Sequence, residues 1–157
     1  MSPPPSPSPA GPPQGVVLQE LLAFDHAAIY GLAAGGGKLA TVPAQSEALA
    51  ATRAAFDQYR LRRDSLTAFL RGMGLTPAAA APAYVVTPGG GGTDTLRFLA
   101  ALADKTAAAY RAALAQLAST PARQLAVAAV AQSARYAATM KLAAGEPVDA
   151  AAPALPG

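Results

Sequence analysis

A chain of 157 residues, 52% apolar and only 13% charged, suits one domain and carries about half the charge of an ordinary soluble domain. Alanine supplies much of the apolar fraction, and there are no Trp, four Phe and five Tyr, so closely packed helices are expected in place of a thick aromatic core. The lack of cysteine excludes disulfides, thiolate metal sites and a cysteine nucleophile, and the net charge of +3 comes from scattered arginines that form no basic patch for nucleic acid.

The first fifteen residues, MSPPPSPSPAGPPQG, have neither the basic nor the apolar region of a signal peptide. Their Pro and Ser density predicts a disordered or polyproline II tail. No stretch approaches about 18 uninterrupted apolar residues, so no membrane span and a cytoplasmic location are expected. The first helix is predicted from Val16 to Leu32, extending at most to Leu39, with the stripe Leu18, Leu22, Asp25, Ile29 and Leu32. Gly35, Gly36 and Gly37 predict fraying there, because each helical Gly costs about 1 kcal/mol relative to Ala.

A second helix is predicted to open near Pro43 or Ala44, with proline in its first turn, and to stop at Gly72–Gly74. Its expected stripe is Leu49, Thr52, Phe56, Tyr59, Arg63, Leu66, Leu70 and Met73, a 3-4 spacing suited to a bundle. Residues 74 to 92 carry several helix breakers and read as one long connection, with Tyr84, Val85 and Val86 available to pin it. At about 3.3 Å per residue it can cross a whole bundle. A third helix starts at the N-cap candidates Thr93 or Asp94, with the stripe Leu96, Leu99, Ala103, Thr106, Tyr110, Leu114 and Leu117. The fourth opens with Pro121 after Ser119 or Thr120, uses Val127, Val130, Ala134, Ala137 and Met140, and ends at Gly145. Residues 146–157 form a second Pro/Ala-rich tail. Two helical hairpins joined by one long crossover are an all-α, ferritin-like four-helix arrangement over residues 16–145.

Three segments resemble a known family. Asp25-His26-Ala27-Ala28-Ile29-Tyr30 is similar to an acidic residue followed by His-Ala-Ala-x-Tyr. Tyr59 to Leu66, YRLRRDSL, is similar to His-Arg-x-Arg-Arg-Asp-x-Leu, and Ala79 to Val86 resembles a Pro/Ala-Tyr crossover. On these motifs residues 16–145 resemble an uncharacterised family of ferritin-like proteins from GC-rich bacteria, known only as a domain of unknown function (DUF4439-like). The resemblance implies a ferritin-like fold. Asp25 stands where Glu is usual in the family, and Tyr59 where His is usual. The third helix has Ala103-Asp104 where an acidic pair is common.

The charged residues within the stripes are the candidate site. A dinuclear bundle centre needs a Glu on each of two helices and Glu-x-x-His on the other two. This chain has one His and no Glu-x-x-His, so no metal and no cofactor are expected. A hairpin turning near residue 41 places Asp25 level with about residue 57. Asp25 is therefore expected to accept hydrogen bonds from Tyr59 and Arg63, as a buried network fixing helix register or as the remnant of a ligand site. His26 is expected on the flank of the stripe near Tyr30, bonded to a neighbour. Arg60 and Asp64 are expected to form a surface pair, and Asp104 to lie on a solvated face. The expected function is a non-catalytic structural or protein-interaction bundle, self-associating as a homodimer through Ala-rich faces. The alternatives are a metal-dependent oxidoreductase or storage protein, and a carrier of a small apolar ligand in a pocket lined by Phe24, Phe56, Tyr59 and Tyr110.

Overall fold

The computed structural model describes residues 2–4 and 13–147; of the tails expected at 1–15 and 146–157, residues 1, 5–12 and 148–157 lie outside the described residues, while Gln14 and Gly15 already belong to the first helix. Four helices account for most of the chain: α1 (Gln14–Leu39), α2 (Ser46–Gly72), α3 (Gly92–Leu114) and α4 (Thr120–Ala143), with a 3-10 turn at Pro43–Gln45 leading into α2. The described residues contain no strand. Two helix ends follow their glycines closely. Gly74 and Gly145 adopt positive φ, and the next residue in each case closes back on the helix, Leu75 N–H to Leu70 O and Glu146 N–H to Lys141 O. Ser119 caps α4, accepting from Ala122 N–H at 3.4 Å. The third helix begins one turn of sequence logic early: Gly91 occupies the N-cap position without a side-chain cap, and Thr95 donates back to its carbonyl.

Side-chain pairings fix the topology. Asp25 meets Arg62 and Gly36 faces Thr52, so α1 and α2 are antiparallel. Gly35 faces Leu99, Gly31 faces Leu102 and Asp25 meets Tyr110, so α1 and α3 are also antiparallel. Thr52 meets Tyr136 and Tyr59 meets Ser133, giving the same relation between α2 and α4. The helices thus run up-down-down-up, with α2 parallel to α3. The connection at residues 73–91 must travel the length of the molecule between them. It does so along α1. The Gln19 amide donates to Thr76 O at 2.7 Å and accepts from Ala78 N–H at 2.8 Å. The Tyr30 and Tyr84 rings pack at 5.5 Å, and Lys38 Nζ donates to Gly89 O at 2.8 Å. Tyr84 therefore pins the crossover as expected, while Val85 is fully exposed.

Two helices present a different face from the expected one. The buried positions of α2 are Ala48, Thr52, Ala55, Tyr59, Arg62, Leu66 and Leu70. Leu49 and Phe56 lie on the flank, and Met73 is exposed. In α4 the buried series is Ala122, Ala126, Ala129, Ser133, Tyr136, Ala137 and Met140, and Val127 points outward. The pattern is the same in both. Each buried face combines alanines with a few large residues, Tyr59, Leu66 and Leu70 in α2 and Tyr136 and Met140 in α4, while Leu49, Phe56 and Val127 fall outside it. α1 is long and apolar enough by composition to span a membrane, contrary to the expectation from uninterrupted runs; here its stripe, Asp25 included, is buried against the other helices.

The expected fraying at Gly35–Gly37 does not occur, since α1 continues to Leu39. A Cβ on Gly35 would lie 2.5 Å from Leu99 Cδ2 and 2.9 Å from its Cγ. The missing side chain is what lets α1 and α3 approach. Nothing lies within 4 Å of a Cβ on Gly37. Gly35→Ala should therefore destabilise the protein by about 1–3 kcal/mol through overpacking, whereas Gly37→Ala should stabilise it by up to about 1 kcal/mol through helix propensity. Urea unfolding of the two variants checks this; equal effects would show that Gly35 has no packing role.

Candidate functional site

The middle of the protein holds a charged residue from each of two helices. Asp25 of α1 is 0% exposed and Arg62 of α2 is 5% exposed. They form a two-pronged pair: Arg62 Nε donates to Asp25 Oδ2 at 2.8 Å and Nη2 to Oδ1 at 2.7 Å. Tyr110 of α3 donates a third hydrogen bond to Oδ2, at 2.7 Å. The guanidinium carbon lies 4.0 Å from the centroid of the Tyr59 ring and 4.6 Å from that of Tyr110, so two aromatic rings pack against the cation. Burial alone works against the charged guanidinium. The hydrogen bonds and attraction of Asp25 outweigh it, and Arg62 holds its proton more tightly than an ordinary arginine.

A second polar layer adjoins the first. The Tyr59 hydroxyl shares a hydrogen bond with Ser133 of α4 at 3.1 Å. Thr52 donates to Ala48 O at 2.7 Å and lies 2.9 Å from the Tyr136 hydroxyl. Every helix therefore contributes at least one member to a polar belt running through an otherwise apolar core. Above the belt pack Leu32, Leu39, Leu96 and Leu99; below it pack Leu18, Leu22, Leu66 and Leu70.

The geometry corrects several expectations. Arg63 is not the partner of Asp25. It points outward and pairs with its neighbour Asp64, at 2.7 Å, and Arg60 lies over Phe56 instead of pairing with Asp64. Arg62 and Arg63 differ by about 100° around the helix, and the inward position goes to the one beside the Ala48–Ala55–Tyr59 face. Tyr59 bonds Ser133, not Asp25, and reaches the pair only through its ring. His26 stands on the flank of α1, as expected, and donates from Nε2 to Ala78 O of the crossover at 3.0 Å. Asp104 pairs with Lys141 across α3 and α4 at 2.8 Å. Phe24, Phe56 and Tyr110 do not share a pocket. Tyr110 is fully buried, Phe56 borders a groove between α1 and α2, and Phe24 borders shallow clefts on the α3 side of α1. Reasoning on the sequence missed Arg62, Ser133 and Tyr136. The last two stand at i and i+3 within an alanine stripe, and that spacing was the available signal.

The donor set does not fit a dinuclear metal centre. Asp25 is the one buried carboxylate among the described residues, and its oxygens are already taken by Arg62 and Tyr110. Among the described residues no three His, Cys, Asp or Glu side chains come together.

The belt has a consequence for alkaline stability. Burial, reinforced by the Asp25 charge and opposed by Arg62, raises the Tyr110 hydroxyl well above the ordinary tyrosine range. Burial does the same to Tyr136, opposed by its hydrogen bond with Thr52. A group raised on folding contributes fully below its unfolded value, near 10. Above that value the unfolded chain loses the proton first, so stability falls as pH rises, by about 1.4 kcal/mol per pH unit for each such tyrosine. Urea midpoints should hold steady to about pH 9.5 and then drop. Tyr110→Phe should lose about 1.5–3 kcal/mol at neutral pH by removing a charge-assisted hydrogen bond, yet show a shallower alkaline slope. An unchanged slope would mean that Tyr110 ionises freely in the folded protein.

Known proteins bear on this arrangement in three ways. The crystal structure of a conserved hypothetical protein from Mycobacterium tuberculosis is similar to this chain, with a TM-score of 0.75 and 25% sequence identity over 88% of this chain and 99% of that one. No curated protein matches. The family described as "Domain of unknown function (DUF4439)" matches residues 17–157, nearly the whole chain, and the protein belongs to that family.

Proposed function

We propose that this protein is a ferritin-like bundle whose centre is closed by a buried ion pair, and that it serves as a non-catalytic structural or protein-interaction domain that self-associates. The up-down-down-up order with a single full-length crossover supports the ferritin-like reading. The observation that carries the functional one is the position of Arg62. A cation with two aromatic rings against it and a bidentate carboxylate fills the place where a metalloprotein of this architecture would direct carboxylates and imidazoles. A permanently charged guanidinium repels a divalent cation and withholds Asp25 from it.

Self-association is supported by the outer face of α4. Val127 is 56% exposed and Leu142 50% exposed, with Ala131 and Ala138 between them on the same side. Small side chains allow the close approach of a second helix. The carrier reading retains one supporting feature, a groove of about 430 Å³ between α1 and α2 lined by Leu32, Gly36, Gly37, Leu49 and Phe56, a volume within the range of small-molecule sites.

Elemental analysis of protein produced in iron- and manganese-supplemented medium, combined with light scattering, tests the proposal. The expected result is less than about 0.1 metal per chain, and a dimer that Val127→Glu converts to monomer by burying a charge at the contact. One or two tightly held metal ions per chain, lost in Asp25→Ala, would overturn the metal-free reading. A monomer at all concentrations would overturn self-association.

A further inference from the structure

A polar cleft lies beside the start of the crossover. It is open to solvent between α1, α2 and residues 75–80, has a volume of about 570 Å³, and is bordered by His26, Arg63, Asp64, Thr67, Arg71 and Thr76. Arg63, Thr67 and Arg71 stand at i, i+4 and i+8, so α2 offers a row of three donors along one face. Two arginines face one aspartate, and that aspartate is already engaged by Arg63 through a single oxygen.

Two of these side chains, Thr67 and Arg71, are uncommitted among the described residues. Helical hydroxyls in this protein ordinarily bond back to the carbonyl four residues earlier, as Thr52, Ser65, Thr106 and Thr139 do, and Ser133 bonds Tyr59. Thr67 makes no such bond and borders the cleft. Among the described residues Arg71 has no carboxylate within ion-pair distance. The opposite wall is rigid, because Gln19 and His26 clamp the backbone of Thr76 and Ala78. Leu75, Pro77 and Ala79 add apolar lining to the cleft.

We infer that this cleft binds the phosphate group of a small phosphate monoester, held by Arg71, Thr67 and the unpaired side of Arg63. Arginine presents a planar fork that matches phosphate oxygens, and a hydroxyl supplies a further donor between the two forks. The volume exceeds what the phosphate needs, and the apolar lining receives the esterified group. The same chemistry is presented by a soluble metabolite and by the headgroup of phosphatidic acid.

The full chain should be titrated at low ionic strength with inorganic phosphate and with glycerol 3-phosphate, and sedimented with phosphatidic acid vesicles against phosphatidylcholine vesicles. At least one phosphate monoester should bind, at least tenfold more weakly in Arg71→Ala and about threefold more weakly in Thr67→Val, with no change in Arg97→Ala on α3. Glycerol 3-phosphate binding without vesicle binding identifies a soluble ligand; Arg71-dependent binding to phosphatidic acid identifies the lipid headgroup. Both altered side chains lie outside the core, so circular dichroism should show an unchanged fold. No binding of any probe, or equal loss in Arg97→Ala, would overturn the assignment.

Discussion

A carboxylate with no exposed surface must find its charge balance inside the protein, and Asp25 finds it in Arg62. Neither group could be buried alone without a penalty of several kcal/mol. The requirement therefore dictates which turn of α2 lies beside which turn of α1. Tyr110 adds α3 to the same constraint through the carboxylate. Tyr59 adds α4, because its ring packs on the guanidinium while its hydroxyl reaches Ser133. An alanine-rich core needs such a device. Small uniform side chains can slide past one another by a turn with little change in contact, and under-specified cores lose uniqueness before they lose stability. The polar belt gives one register in which every carboxylate oxygen is satisfied, and a shift of α2 by one turn would leave a charge unpaired.

One atom of this network is left over. Arg62 Nη1 is buried with no hydrogen-bond partner, the side of the guanidinium facing away from Asp25. The ring faces of Tyr59 and Tyr110 are the nearest source of compensation, since each presents negative quadrupole density to the cation. The network is thus anchored by geometry on one edge and by aromatic packing on its faces, which explains why bulky tyrosines occupy positions otherwise given to alanine.

Much of the architecture is legible in the sequence, and the failures share a cause. Helix number, the crossover, the proline starts and the glycine stops at Gly74 and Gly145 follow from local backbone chemistry that no tertiary contact overrides. The face of α2 and α4 does not. A 3-4 stripe drawn through the largest residues selects Leu49, Phe56 and Val127, whereas the interior takes Ala48, Ala55 and Ala126, because the rotation of each helix is set by where Tyr59, Arg62, Tyr136 and Met140 pack. Arg62 and Arg63 are ambiguous for the same reason, since consecutive residues on the border of a wide stripe differ only by rotation. That Asp25 required a buried cation was readable from its place on an apolar stripe; which arginine supplied it depended on the helix rotation. The glycines at 35 and 37 illustrate the limit further. They are identical in sequence and differ only in whether α3 stands opposite.

The central claim is that the Asp25–Arg62 pair couples α1 to α2 in the folded state. A double-mutant cycle in urea measures it directly, using Asp25→Ala, Arg62→Ala and the double variant. Asp25→Ala alone should destabilise by about 3–5 kcal/mol, since it strands a buried guanidinium. The double variant should lose far less than the sum of the single changes, giving a coupling energy of at least about 2 kcal/mol. Additive effects, with coupling below about 0.5 kcal/mol, would show that the two charges act independently and that the register of the helices is set elsewhere.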